Sequence, residues 1–371
     1  MHGPWPDSRG PSAARIERWL LDSPVQLHEG PHAGGIAGWL DPLGRPKFVY
    51  LEITGYYLTA MAWLAGGAAS SDRTATEALA RGRRALDWVT STTAGGAVPQ
   101  TRLHLRGDGD DWRNAAIFCF DLAMAARGVA CFAAAAGIDE ADTPLGEIGA
   151  RVEEVCAGAP QLRSHVLRDE AGQPLPDRWS TRPGPHHVKA AAALLRLPPE
   201  TLDPAVGDAC RATIASWAEA LEASWPSPQL HPVLYGIEGL LMLSPEAPAG
   251  ALDAAECAFE RLMELQRPDG MLPAAVDGQG TEVRADVIAQ ALCAGELLRQ
   301  AGRLQDDGWR PRLNALAADV ASGVREDGGV LFSTEHQVAN AWCAMFALQA
   351  LALSQAADGA GPPLDPGVGL I

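Results

Sequence analysis

The chain has 371 residues, a formal net charge of −17, and a composition that is 47% hydrophobic but only 6% aromatic. That charge excludes broad binding to nucleic acid, whose phosphates need a basic face, and adsorption to anionic lipid. Runs rich in Val, Ile and Thr are scarce, which excludes a large sheet, whereas Ala and Leu, both strong helix formers, dominate the apolar residues.

Residues 1–12 contain Pro and Gly and lack the basic-then-apolar pattern of a signal peptide, so they are expected to be a flexible start. From residue 13 to 357 two kinds of helical pattern alternate. Segments 12–22, 73–90, 145–157, 204–223, 251–266 and 311–324 are amphipathic, with one charged face. Segments 52–64, 114–135, 186–195, 232–243, 285–298 and 339–353 are nearly apolar all round, and a helix of that kind must be enclosed by protein. Gly- or Pro-bearing connectors lead into the second kind: Gly34-Gly35, Gly95-Gly96, Gly172-Gln173-Pro174, Trp225-Pro226-Ser227-Pro228, Asp269-Gly270 and Asp327-Gly328-Gly329. The tail, 358–371, is again rich in Pro and Gly and is expected to pack loosely.

Six repeats of a helical hairpin, each unable to bury its apolar helix alone, predict an all-α fold. The fold expected is one (α/α)6 toroid domain with six inner and six outer helices. An open solenoid would leave one face of the inner row wet. No stretch of about 18 residues is apolar enough for a membrane span. The seven cysteines lack C-x-x-C spacing and read as reduced core residues of a cytoplasmic protein, with no metal site built from them. There is no phosphate-binding Gly loop and no cofactor fingerprint, so no cofactor is expected. Oligomeric state is not legible.

In such a ring the connectors and the first turns of the inner helices meet at one end. The first unit brings Trp39, Tyr50, Glu52 and Tyr56, and the second brings Asp108, Asp110, Asp111, Trp112 and Asp121. The third brings Trp179, Arg182 and His186, the fourth His231 and Tyr235, the fifth Arg284 and Asp286, and the sixth His336 and Trp342. Asp121 stands out, because a carboxylate within an apolar helix is costly unless paired. Titratable and aromatic groups from every unit would form the concave polar pocket expected of an enzyme.

At these residues the chain resembles a family of bacterial six-hairpin toroid proteins encoded with polysaccharide and natural-product biosynthesis genes. The family's Tyr-Pro-Glu-Ile-Thr-Gly-Tyr stands here as Tyr50-Leu51-Glu52-Ile53-Thr54-Gly55-Tyr56, and its Phe-Asp-Thr-Gly-Gln as Phe120-Asp121-Leu122-Ala123-Met124. Further matches are His231-Pro232-Val233-Leu234-Tyr235, Arg284-Ala285-Asp286-Val287-Ile288-Ala289-Gln290 and Asn340-Ala341-Trp342. That family is similar to six-hairpin glycosidases and uronosyl epimerases, which implies carbohydrate chemistry. A second resemblance is Asp108-Gly109-Asp110-Asp111 to the Asp-x-Asp-Asp motif of class II terpene cyclases, which implies Asp110 as the acid that protonates an alkene.

The function expected is therefore general acid/base chemistry on a carbohydrate-like small molecule or oligosaccharide, of hydrolase, lyase or epimerase type, with Glu52 and Asp121 as the carboxylate pair. For epimerisation or elimination beside a carboxylate, Tyr56, His186 or His231 would move the proton, and Arg182 or Arg284 would hold the carboxylate. Trp39, Trp112 and Trp179 would stack on sugar faces. The alternatives are a cyclase led by Asp110 and a non-catalytic toroid that binds glycan or peptide.

Overall fold

Six helices with one wet face and six without any alternate along the chain in the computed structural model. It describes residues 10–66, 71–106, 111–139, 144–169, 174–244, 250–276, 282–305, 307–356 and 366–371. Asp108, Asp110, Gly172 and Gln173 lie outside the described residues. The outer helices are α1 (Pro11–Asp22), α3 (Asp72–Thr93), α5 (Leu145–Cys156), α7 (Pro204–Ala223), α9 (Ala251–Met263) and α11 (Trp309–Ser322). The inner helices are α2 (Leu51–Gly66), α4 (Cys119–Ala136), α6 (His186–Leu195), α8 (Leu230–Met242), α10 (Ala285–Gln300) and α12 (Ala341–Gln355).

Each inner helix packs on the next, and α12 packs on both α10 and α2, so the ring closes. The outer helices sit in the clefts: α7, for example, contacts α6, α8, α5 and α9. This is the (α/α)6 toroid. Short ribbons tie neighbouring units together at one end. The strands are β1 (Trp39–Leu40), β2 (Phe48–Val49), β3 (Leu103–His104), β4 (Ala116–Phe118), β5 (His165–Leu167) and β6 (Ala339–Asn340). Pairing of β1 with β6 joins the first unit to the last, and β2 with β3 joins the first to the second.

The helix expected from residue 114 begins at Cys119 instead. Asp111 caps a 3-10 turn over Trp112–Ala115 by accepting from Arg113 N at 3.1 Å, and β4 then pairs with β5 before the helix starts. By length and hydropathy α4 is the one helix among the described residues that could cross a membrane. Here 72% of it is buried in the ring wall.

The tail does not pack loosely where it is described. Leu370 and Ile371 are buried, and residues 366–371 reach the barrel interior. Arg127 donates to Leu370 O at 2.9 Å, Lys189 to Ile371 O at 2.8 Å, and Gln349 to Gly369 O at 2.6 Å. Long polar side chains inside the ring need acceptors, and the tail backbone supplies them. All seven cysteines are free. Five are buried, Cys131 is half-buried, and Cys257 is exposed rather than in the core.

Helices α2 and α4 touch backbone to backbone. A Cβ on Gly128 would lie 2.1 Å from Gly55 O, and one on Gly55 would lie 2.4 Å from Met124 O. Neither carbonyl can retreat without parting the helices. Gly128→Ala is expected to destabilise by about 1–3 kcal/mol through overpacking, even though alanine gains roughly 1 kcal/mol of helix propensity. A thermal melt with Tm unchanged or raised would overturn this account of the contact.

Candidate active site

The inner-helix starts and connectors enclose a cavity of about 620 Å³ at one end of the ring. Trp39, Tyr50, Glu52, Trp112, Asp121, Trp179, His186, His231, Tyr235, Arg284, His336 and Trp342 all line it. Convergence on one funnel therefore holds for residues drawn from all six units. Four of the residues expected there stand elsewhere. Arg182 follows the turn Trp179–Thr181, faces outward with its side chain 64% exposed, and pairs with Asp177; Arg178 lines the cavity in its stead. Tyr56 lies below the floor against Phe346, its hydroxyl facing Tyr235. Asp286 is fully buried behind Arg284, and Asp111 sits behind Arg102 and Arg113. Asp108 and Asp110 lie outside the described residues.

Glu52 in the first turn of α2 and Asp121 in the first turn of α4 are brought together by Tyr50, the residue just before α2. Tyr50 Oη lies 3.4 Å from Asp121 Oδ1, within hydrogen-bond reach, and also hydrogen-bonds with Glu52. Burial pushes the Glu52 carboxyl up to about 7, held back by the Tyr50 hydroxyl and by Lys189, Arg102 and Arg113. Burial, and then the Glu52 charge, push Asp121 well above the usual carboxylate range. Burial and both carboxyls also push Tyr50 up, so it stays protonated. One phenolic proton cannot serve two carboxylates at once. The trio is complete when Asp121 keeps a proton and donates it to Tyr50 Oη, while Tyr50 donates to an ionised Glu52.

Across the cavity stand two imidazoles. Trp179 meets His186 and His231 edge-on, with ring centroids 5.0 and 5.6 Å away. Burial pushes His231 down to about 4, against the pull of Asp286, and pushes His186 well below its usual value with help from His187 and His231. Both are neutral near pH 7, and His186 Nδ1 has no hydrogen-bond partner among the described residues. Phe120 and Tyr235, 4.8 Å apart, form the floor.

Asp286 accepts from Arg284 Nε at 3.0 Å, from Trp342 Nε1 at 3.2 Å and from Val287 N at 2.9 Å, and lies 3.7 Å from His231 Nδ1. Burial alone would raise its pKa, but Arg284 and His231 outweigh burial and hold it below the usual range. Asp286 thus fixes Arg284 and Trp342 against the wall formed with Trp39 and Phe332; Trp342 lies 6.1 Å from Trp39 and 5.8 Å from Phe332. On the other rim Asp111 binds Arg102 at 3.2 Å and Arg113 at 2.9 Å. The Arg102 guanidinium stacks 4.5 Å from the Phe48 ring.

Sequence reasoning did not pick out Lys47, Arg102, Arg178, Gln229 or Phe332, all of which line the cavity. Lys47 and Arg102 flank the β2–β3 ribbon, a two-residue pairing with no local pattern to betray it. His186, His187 and His231 form no three-ligand cluster among the described residues. The trio with ligand atoms within 4.8 Å of one another is Glu282, Glu335 and His336, at the rim.

The fold is shared with several solved enzymes. One is a D-mannose isomerase, at TM-score 0.68 and 14% identity over 94% of this chain and 98% of that one. Another is a cellobiose 2-epimerase from Spirochaeta thermophila, at TM-score 0.64 and 16% identity over 93% and 96%. A third is an unsaturated glucuronyl hydrolase specific for heparin, at TM-score 0.63 and 12% identity over 95% and 97%. At such identities the likeness establishes the six-hairpin toroid architecture. No family model and no curated protein matches the sequence.

Proposed function

We propose that the chain is an enzyme that acts on a carbohydrate by general acid/base chemistry, with Asp121 as proton donor and Glu52 as its ionised partner. The observation that carries this reading is the Tyr50 hydroxyl shared between two buried carboxyls whose environments raise both above the usual carboxylate range. In hydrolysis, Asp121 gives its proton to the glycosidic oxygen as the bond to carbon breaks. Glu52 takes a proton from the water that attacks that carbon. Trp39, Trp112 and Trp179 offer ring faces to a sugar, and Arg284 offers a fixed guanidinium to an anionic or hydroxyl substituent. Seven free cysteines suit a reducing compartment, and we assign the enzyme to the cytoplasm.

The neutral imidazoles of His231 and His186 favour a second reading, proton transfer between neighbouring carbons of a reducing sugar. Solved structures of this fold include an isomerase and an epimerase as well as a hydrolase, so the fold is compatible with either reading.

One experiment separates them: a panel of reducing sugars and oligosaccharides, neutral and acidic, run in heavy-oxygen water and in heavy water with mass analysis. Hydrolysis leaves one heavy oxygen per cleavage and no deuterium on carbon. Proton transfer leaves carbon-bound deuterium. Tight binding with neither outcome, unaltered in Glu52→Gln, would overturn the enzyme reading in favour of a binding toroid.

A further inference from the structure

From the cavity wall down beneath its floor, four buried side chains from three inner helices join end to end. Lys189 on α6, Glu238 and His231 on α8, and Gln290 on α10 are each at most 5% exposed. Lys189 Nζ donates to Glu238 Oε2 at 2.8 Å. The ammonium lies 5.0, 4.8 and 5.3 Å from the ring centroids of Tyr56, Tyr235 and Phe346. Burial works against both charges, lowering Lys189 and raising Glu238, whereas the 2.8 Å contact and the three aromatic rings favour the ammonium paired with a Glu238 anion.

Gln290 Nε2 donates to Glu238 Oε2 at 3.0 Å. A carboxylate only accepts, so the amide must turn its NH2 toward Glu238. That leaves Gln290 Oε1 facing His231 Nδ1 at 2.6 Å. A carbonyl also only accepts, so Nδ1 carries the hydrogen. The other group near Nδ1, Asp286 Oδ2 at 3.7 Å, is an acceptor as well and demands the same tautomer. His231 lines the cavity and Gln290 does not. The nitrogen left for a bound molecule is therefore Nε2, with its lone pair.

We propose that Lys189, Glu238 and Gln290 are positioning residues that lock His231 as the Nδ1–H tautomer, so that Nε2 accepts a hydrogen bond or proton from the substrate. The substrate part of this rests on the reading of the mouth as a sugar-processing site; the tautomer does not.

The test labels histidine with nitrogen-15 and reads the tautomer by long-range nitrogen–proton NMR, with His231 assigned by its loss in His231→Asn. Wild type is expected to show Nδ1 protonated and Nε2 bare. Gln290→Met should give a mixture of tautomers, with kcat down roughly tenfold or more and KM little changed. The exchange Glu238→Gln with Gln290→Glu reverses only the middle hydrogen bond: the new amide accepts from Lys189 and donates to the new carboxylate, and that carboxylate accepts from Nδ1–H. It should restore both the tautomer and most of the activity, and it keeps the test open where Gln290→Met fails to fold. A protonated Nε2 in wild type, an unchanged tautomer in Gln290→Met, or an exchange variant as altered as the single one would each overturn the proposal. Full turnover by Glu52→Gln would overturn the carboxylate-pair mechanism and leave the tautomer result standing.

Discussion

Glu52→Gln and Asp121→Asn are each expected to lower kcat by about 10²–10⁴-fold on whatever substrate the panel yields, since each removes one half of a proton-transfer pair. The two carboxyls titrate together, so pH sensitivity belongs to the pair. Turnover that needs Glu52 ionised and Asp121 protonated should rise with pH through about 7, where Glu52 is held. It should fall again as Asp121, raised well above its usual range by burial and by Glu52, gives up its proton. Either variant retaining more than about a tenth of wild-type kcat would be incompatible with the assigned roles.

The same residue makes a stability prediction of opposite sign. Folded Glu52 keeps its proton to about 7, the unfolded chain only to about 4.5. Between those values the folded state binds more protons, so stability is greatest below 4.5 and declines as pH rises to 7. Glutamine has no charge to bury. Glu52→Gln should therefore be more stable than wild type above pH 7, on the order of 1–3 kcal/mol, and the gain should vanish toward pH 4.5. Urea unfolding at the two pH values measures it. Lower activity with higher stability in one variant would mark a charge kept for chemistry rather than for folding.

The toroid was legible because its signal is long-range and redundant. All twelve helices recur as apolar or one-faced Ala- and Leu-rich segments of about the right length, and closure follows from six inner helices with no wet face. Glu52, Asp121 and His231 were legible because inner-helix starts must share one end. Arg182 was misassigned because a single 3-10 turn decides whether Arg178 or Arg182 faces inward, and both lie in one irregular stretch. Arg102 and Lys47 escaped because two-residue ribbons are set by tertiary pairing, not local pattern. The tail misled for a related reason. Its Pro and Gly speak of a loop, but what seats it is a set of distant side chains, Arg127, Lys189 and Gln349, that have to find acceptors inside the ring.

Lys189→Met is expected to be the most destabilising change of those considered, by about 3–5 kcal/mol near neutral pH, because it leaves Glu238 charged and unpaired in the barrel. The methionine fills similar space, so the loss reports electrostatics rather than a cavity. Burial already raises the Glu238 carboxyl, and without Lys189 it should rise further. A folded pKa above the unfolded one means stability is lost as pH climbs through it, so the deficit should be widest at alkaline pH and shrink on acidification as Glu238 takes up a proton. Adding Glu238→Gln should return most of the loss at neutral pH, since the amide can accept from Gln290 without carrying charge. A single variant that loses less than about 1 kcal/mol, or a double variant no better than the single, would mean that water reaches this pair and solvates it. The ring interior would then be wet, and the low-dielectric argument for Glu52 and Asp121 higher in the same barrel would weaken with it.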